Sequence, residues 1–181
     1  GRIKEEQTVV TLTHFGYIKR MPIDTYKSQR RGGKGITGLS TREEDFVKQI
    51  FTASTHDTIL FFSNKGKLYK LKGYEIPEAG RTAKGTAIGN LLSLDAGEKI
   101  SAVIPIQNFA EGKYLLMGTK NGLIKKTALK EYDTSRKNGL QGITLKEDDE
   151  LIAVKLTDGE DNVVLVTRKG ICITFDEKDV R

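Results

Sequence analysis

The sequence contains no tryptophan, one cysteine, two histidines and three prolines among 181 residues. With a single cysteine, Cys172, an internal disulfide is excluded, and we expect this small apolar thiol to be buried. Two histidines and one cysteine are too few ligands for a His/Cys metal site. No apolar run approaches the roughly 18 residues that a membrane-spanning helix needs. These absences exclude a disulfide scaffold, a zinc-finger type of domain and a helical membrane protein.

Three short segments resemble ligand-binding motifs of enzymes, but each lacks a required part. Residues 33–38, "GKGITG", match the dinucleotide-binding fingerprint, which also needs a packed helix within a βαβ unit. Residues 80–86, "GRTAKGT", resemble a phosphate-binding loop without its Gly-Lys-Ser/Thr ending. The acidic run "KEDDE", residues 146–150, has neither the alternating ligands nor the glycine of a calcium loop. We therefore expect no catalytic residues, no metal site and no cofactor in this chain.

Basic residues are concentrated in the first half of the chain. Lys and Arg outnumber Asp and Glu by 16 to 9 in residues 1–90, whereas residues 91–181 have 14 against 15. The two halves therefore have formal charges of +7 and −1, an asymmetry that favours a polyanionic partner near the N-terminal half. A solvated charged surface is the alternative interpretation, because 30% of the residues are charged.

A pattern of hairpin turns recurs four times along the chain. Gly16, Gly66, Gly122 and Gly170 each follow an apolar run, a Ser or Thr and two variable residues, at spacings of 50, 56 and 48 residues. Each segment predicts a tight β-hairpin in which the glycine takes a positive φ. Periods of this length are typical of propeller blades.

Each repeat continues with a basic glycine-containing loop, an acidic loop and a further apolar run. Residues 40–51, "STREEDFVKQIF", have a capping-box pattern, but their counterparts are rich in β-branched residues, so we predict a strand. We predict an all-β fold, a propeller-like or β-pinwheel arrangement of four-stranded antiparallel blades of which about 3.5 are present. The domain is residues 1–181, with blades at 8–56, 57–110 and 111–160 and a partial blade at 161–181. Such an open arc leaves unpaired strand edges, which favour self-association.

The segment "QRRGGKG", residues 29–35, is the most distinctive basic loop that the sequence predicts. Its cations supply charge-assisted donors, and its glycines let the backbone approach an extended anion closely. Because aromatic residues are few, duplex DNA held through its phosphates is the favoured ligand, and an acidic protein bound by a propeller-type scaffold is the alternative. The candidate DNA-binding residues are Gln29, Arg30, Arg31, Gly32, Gly33, Lys34, Gly35, Lys19, Arg20, Lys67, Lys70, Arg81, Lys84, Lys125, Lys126 and Arg136.

The same residues resemble a known family. "QRRGGKG" matches, at every position, the seven-residue box in the C-terminal domain of the bacterial DNA gyrase A subunit. The segments "TLTHFGYIKR", "STHDTILFFSNKGKLYKLKGYEIPEAGRTAKG" and "GEKI" are also similar to the first blades of that domain. The A subunit of topoisomerase IV has a related domain with a degenerate or missing box, so it is the alternative and gyrase is favoured.

The resemblance implies a β-pinwheel whose strands cross between neighbouring blades and whose basic rim wraps duplex DNA with positive handedness. It implies that Arg30, Arg31 and Lys34 hold the wrap, while Gln29 and the glycines shape the loop. The implied partners are the remainder of the gyrase A subunit, and through it the gyrase B subunit, which together introduce negative supercoils with ATP in the bacterial cytoplasm, at the nucleoid. ATP and Mg²⁺ would bind elsewhere in that assembly, so the chain is not expected to be an enzyme on its own.

Two further features concern the extent of the chain and the part of it that we expect to bind DNA. The first residues, "GRIKEEQ", lack both an initiator Met and the apolar core of a signal peptide, so we expect a piece of a longer cytoplasmic protein. Ile173 and Thr174 occupy positions where the earlier repeats have one or two cations. We therefore expect binding to be strongest on the N-terminal blades.

Overall fold

The computed structural model describes residues 2–32, 44–159, 162–166 and 172–180. The described residues form two compact units. The N-terminal unit consists of Gly1–Thr58 and Leu71–Ser93, and the C-terminal unit consists of Ile59–Lys70 and Leu94–Arg181. Among the described residues, no helix is both long and apolar enough to cross a membrane.

Short antiparallel strands make up most of the regular structure. The strands are β1 (Gln7–Thr13), β2 (Tyr17–Pro22), β3 (Val47–Ser54), β4 (Thr58–Ser63), β5 (Lys67–Lys72), β6 (Thr86–Ala87), β7 (Ile100–Ile106), β8 (Tyr114–Thr119), β9 (Ile124–Ala128), β10 (Leu140–Gln141), β11 (Leu151–Thr157), β12 (Asn162–Val166) and β13 (Cys172–Asp176). One α-helix, α1 (Ile23–Gly32), follows β2. Single 3₁₀ turns lie at Gly73–Glu75, Ile88–Asn90, Leu129–Tyr132 and Glu177–Asp179.

The sheets share strands between consecutive repeats. The strand order is β3-β1-β2-β6 in the N-terminal unit, and β10-β5-β4-β7, β11-β8-β9 and β12-β13 in the C-terminal unit. The edge strand β6 belongs to the second repeat but pairs with β2 of the first, and β10 of the third repeat pairs with β5 of the second. The predicted all-β fold of antiparallel blades is confirmed, and the crossing of strands between repeats is the arrangement that the resemblance implies.

The hairpin turns have the predicted backbone. Gly16, Gly66 and Gly122 have φ angles of 92°, 79° and 94°, whereas Gly170 lies outside the described residues. The recurrent Ser or Thr three residues earlier also has a physical role, because the Thr13 hydroxyl accepts a hydrogen bond of 3.0 Å from the Tyr17 N–H. Ser63 and Thr119 accept equivalent bonds at 3.3 and 3.0 Å. The side chain therefore fixes each turn from inside the hairpin.

An apolar cluster forms the core of the C-terminal unit. It comprises Leu60, Phe62, Leu68, Ala102, Ile106, Leu115, Met117, Leu129, Tyr132, Ile143 and Leu151, all of them buried. β4 is buried at every position, because both of its faces are covered. In the N-terminal unit, Val10 and Leu12 of β1 and Ile18 of β2 are buried. Apolar side chains from successive repeats thus stabilise the sheets that position the basic loops.

Two sequence expectations near the predicted basic loop had different outcomes. The strand expected within residues 40–51 is present as β3, while its capping-box part lies outside the described residues. The loop expected at Gln29–Gly35 is wrong for Gln29–Gly32, whose backbone forms the last turn of α1. Asp24 lies in the first turn, where its negative charge complements the helix dipole. Local helix propensity therefore extends the helix into the basic segment.

Candidate nucleic-acid interface

Lys19 lies on β2 and binds the loop that precedes β6. Its Nζ donates hydrogen bonds to the carbonyl oxygens of Gly80, Arg81 and Ala83 at 2.8, 3.0 and 2.9 Å. Partial burial lowers the pKa of the Lys19 ammonium group. Because an ammonium group has three N–H donors, all of them are occupied within the chain. This geometry argues against the direct phosphate contact predicted for Lys19.

Arg20, the next residue of β2, also binds its own chain. Its Nε donates to the Ile76 carbonyl at 2.6 Å, and its guanidinium lies 3.8 Å from the Glu78 carboxylate. The side chain is only 16% exposed. The Arg20 N–H also donates to the Pro77 carbonyl, and the Arg20 carbonyl accepts a hydrogen bond from the Ala79 N–H. Arg20 therefore attaches the start of the second repeat's loop segment to the sheet of the first repeat.

Lys70 has the same role in the C-terminal unit. The residue is 6% exposed, and its Nζ donates to the carbonyls of Tyr132 and Thr134 at 2.7 and 2.8 Å. Burial lowers the pKa of this ammonium group as well. Arg20 and Lys70 are both four residues after a hairpin glycine, and Ile76 and Tyr132 are both ten residues after the next one. The recurrence of a cation four residues after the hairpin glycine thus reflects a contact between consecutive repeats.

Lys126 occupies the equivalent position in the third repeat. Its Nζ lies 4.4 Å from the centre of the Tyr114 ring and 3.6 Å from the carboxylate of Glu177, which is fully buried. The Thr157 hydroxyl donates a further hydrogen bond of 2.6 Å to Glu177. A buried carboxylate needs such partners to remain charged. Lys126 therefore pairs with a buried carboxylate within the C-terminal unit.

The remaining described candidates lie at the surface. Arg81 and Lys84 are exposed in the N-terminal unit, and Lys125 and Arg136 are exposed in the C-terminal unit. The Lys84 ammonium lies 4.2 Å from the centre of the Tyr17 ring. In the C-terminal unit, Lys125 donates to the Gly142 carbonyl at 3.2 Å and Arg136 donates to the Asn138 carbonyl at 3.0 Å. Both contacts leave further N–H donors on the same side chain, so these cations can also contact phosphates.

Lys67 is partly exposed and already paired. Its Nζ lies 3.1 Å from the Asp95 carboxylate, and its side chain is 35% exposed. Hydrogen bonding to Lys67 lowers the pKa of Asp95. Exposed pairs of this kind contribute little stability, so exchange of Asp95 for a phosphate would cost little. Lys67 therefore stays a candidate phosphate contact.

The basic box is described only in part. Gln29, Arg30, Arg31 and Gly32 lie in the last turn of α1, and nothing is described of their side chains. Gly33, Lys34 and Gly35 lie outside the described residues. The assignment of the box to DNA binding therefore stays a prediction from the sequence.

Sequence reasoning missed an exposed aromatic cluster at the first hairpin turn. The His14 ring stacks on Phe46 at a centroid distance of 4.8 Å and an interplanar angle of 11°. Phe15 and Phe46 are 54% and 51% exposed. The signal was present in the turn dipeptide, which is "HF" here but "NK", "KN" and "RK" in the other repeats. His14 is itself exposed.

The acidic segment has a structural role in a turn. The Asp149 carboxylate accepts hydrogen bonds of 2.9 Å from the N–H groups of Asn121 and Glu150, and Asp45 makes the equivalent bonds to Phe15 and Phe46. These bonds fix the contact between a hairpin turn and the following strand. Within the described ranges no group of three or more His, Cys, Asp or Glu side chains is arranged to hold a metal ion.

Comparison with known proteins gives consistent matches over the whole chain. A family model described as "DNA gyrase C-terminal domain, beta-propeller" matches residues 7–54, 57–107, 113–158 and 161–181. The DNA gyrase A subunit of Clostridium acetobutylicum is 58% identical over 99% of this chain, and that of Halalkalibacterium halodurans is 55% identical over the same share. The chain spans 22% of the length of each of these relatives.

Solved structures show the same fold. The C-terminal domain of DNA topoisomerase IV superposes with a TM-score of 0.79 and 34% identity, over 99% of this chain and 55% of that one. A DNA gyrase A C-terminal domain superposes with a TM-score of 0.71 and 26% identity, over 97% of this chain and 56% of that one.

Proposed function

The chain belongs to the family of DNA gyrase C-terminal domains, and from this membership we propose that it binds duplex DNA without sequence preference and wraps it around its basic loops. As part of a gyrase A subunit, it would present the wrapped DNA to the remainder of the enzyme. ATP-dependent negative supercoiling would then require the gyrase B subunit together with the other domains of the A subunit. The chain itself would be a non-catalytic part of this type II topoisomerase in the bacterial cytoplasm, associated with the nucleoid.

One observation carries the proposal furthest. The loop before β6 is attached to β2 by carbonyls that accept hydrogen bonds from Lys19, while Arg81 and Lys84 on the same loop are exposed. In the C-terminal unit the loop before β10 is attached through Lys70, while Arg136 is exposed. Fixed backbones that present exposed cations suit the binding of phosphates, because the loop backbone need not be ordered when DNA binds.

Backbone binding is also favoured over recognition of base sequence. The described part of the chain has one helix, α1, of 10 residues, whose last turn is made of the box residues. The loop cations are spread over two short loops and do not form a single recognition element. Charged contacts of this kind position DNA without reading bases. We therefore propose that affinity depends on duplex geometry and bending.

A topoisomerase IV domain is the second candidate, because that solved domain is the structural neighbour with 34% identity and a TM-score of 0.79. The curated relatives at 58% and 55% identity are gyrase A subunits, and the box at residues 29–35 is complete. Both domains belong to type II topoisomerases, so the proposed contact with duplex DNA is shared. The proposal assigns the chain to gyrase.

Salt dependence provides the first test of this proposal. The logarithm of the association constant for a duplex should fall linearly with the logarithm of salt concentration, with a slope between about −4.5 and −7, since each neutralised phosphate contributes about −0.9. Five to eight phosphate contacts from the exposed cations and the box would give this range. Titration of two unrelated fluorescent duplexes should give the same slope and similar affinities. A slope near zero, or strong preference for one duplex, would contradict the proposal.

A further inference from the structure

We propose that Lys19 is a positioning residue for DNA binding, which holds the loop Gly80–Lys84 so that Arg81 and Lys84 can both contact phosphates. The inference rests on the proposed function, because it assigns to Lys19 an indirect part in the same interface. It reverses the role that the sequence suggested, in which Lys19 itself contacts DNA.

Several carbonyl oxygens of the loop Gly80–Lys84 point towards Lys19. Three carbonyl oxygens of the loop converge on the Lys19 ammonium group within 3.0 Å. Carbonyl oxygens are the negative ends of the peptide dipoles, so turning them towards Lys19 keeps them away from an approaching phosphate. The ammonium also compensates the mutual repulsion of three clustered oxygens. Without this cation, the loop would have to expose some of these oxygens on its outer surface.

The end of the loop also approaches β2 closely. Gly85 has a φ of +97°, and a Cβ atom there would lie 2.7 Å from the Ile18 carbonyl oxygen. Immediately afterwards, Thr86 and Ala87 pair with Ile18 and Tyr17. Glycine is needed because a side chain would clash with the strand. This approach brings the loop carbonyls within reach of the Lys19 ammonium group.

Lys84, at the end of the loop, also contacts a residue of β2. Its ammonium lies over the ring of Tyr17, which is two residues before Lys19 on the same strand. An exposed cation–π contact is weak, so it orients Lys84 without preventing exchange for a phosphate. β2 thus orients both the backbone of the loop, through Lys19, and one of its cations, through Tyr17.

A double-mutant cycle on the whole chain separates positioning from direct contact. Duplex affinity is measured for the wild type, Lys19→Met, Arg81→Ala/Lys84→Ala, and the combination of all three. We expect Lys19→Met to weaken binding about 10-fold, nearly as much as the Arg81/Lys84 double variant, and to have no further effect in that background. Equal losses in both backgrounds would show a direct contact by Lys19 and overturn the proposal, as would unchanged affinity of Lys19→Met.

Hydrogen exchange and two further variants keep the test decisive. The Ala83 amide donates to the Gly80 carbonyl at 3.2 Å within the loop, so its exchange should accelerate in Lys19→Met, and unchanged exchange would overturn the positioning role. Lys130→Met, at an exposed lysine of the other unit, is the matched control and should alter neither measurement. If Lys19→Met does not fold, Lys19→Gln replaces it. If the wild type itself does not bind duplex DNA, the proposed function fails, whereas the exchange experiment still decides whether Lys19 holds the loop.

Discussion

Replacement of Arg30, Arg31 and Lys34 together by alanine is expected to weaken duplex binding about 100-fold at about 0.1 M salt, on the order of 1 kcal/mol for each lost phosphate contact. The slope of the salt dependence should become less negative by up to about 2.7, about 0.9 for each cation. The reason is that these cations lie together in the box, so their loss removes one continuous segment of the contact. Fluorescence anisotropy over a range of salt concentrations measures both quantities.

The matched control for this variant is the alanine replacement of Lys113, Lys130 and Lys146, three exposed lysines outside the proposed interface. It removes the same formal charge, so it corrects for the general attraction between a basic protein and DNA. We expect a loss of less than about 10-fold for the control, because screening limits the effect of distant charges. Equal losses in the two triple variants would show that the box has no special part in binding.

Phe62→Ala should lower the free energy of unfolding by about 3–5 kcal/mol, the largest single-residue effect expected on stability. Phe62 is fully buried in the apolar cluster of the C-terminal unit. Its removal leaves a cavity that the surrounding strands can fill only in part, so both transfer energy and packing contacts are lost. Equilibrium unfolding in urea, followed by circular dichroism, measures the change.

Phe15→Ala is the control for the core variant, because it removes the same side chain from a position that is 54% exposed. Surface replacements of this kind change the free energy of unfolding by about 0.5 kcal/mol or less. A small effect of Phe62→Ala, or an equally large effect of Phe15→Ala, would contradict the assignment of the core to the repeat strands.

The hairpins could be predicted from the sequence because their determinants are local. Each turn needs a glycine with positive φ and a Ser or Thr three residues earlier. In the first hairpin, Gly16 has the positive φ and the Thr13 hydroxyl accepts a hydrogen bond within the turn. The strand at β3 needed the comparison of repeats, since its own pattern also suits a helix. The helix α1 was missed because the glycines and arginines at residues 29–35 indicated a loop more strongly than the preceding residues indicated a helix.

The roles of the recurring cations could not be predicted, because they depend on contacts between residues far apart in the chain. Lys19 and Lys67 both follow a hairpin glycine, yet Lys19 binds carbonyls more than 60 positions away, whereas Lys67 is partly exposed beside Asp95. The residues of β6 and β2 do not by themselves indicate that these two strands pair, and only the family resemblance implies that strands cross between neighbouring repeats. Once this pairing is known, Lys19, Arg20 and Lys70 are explained as contacts between repeats, and the exposed loop cations become the better candidates for binding phosphates.

The central claim, that this chain wraps duplex DNA, is tested most directly by the linking number of circular DNA. Relaxed circles are incubated with the chain, treated with a relaxing topoisomerase and freed of protein, and their topoisomers are then separated by electrophoresis. We expect a shift to higher linking number that grows with protein concentration, because positive wrapping would be trapped by relaxation. An unchanged distribution at concentrations where the chain is bound to DNA, or a shift to lower linking number, would contradict the claim.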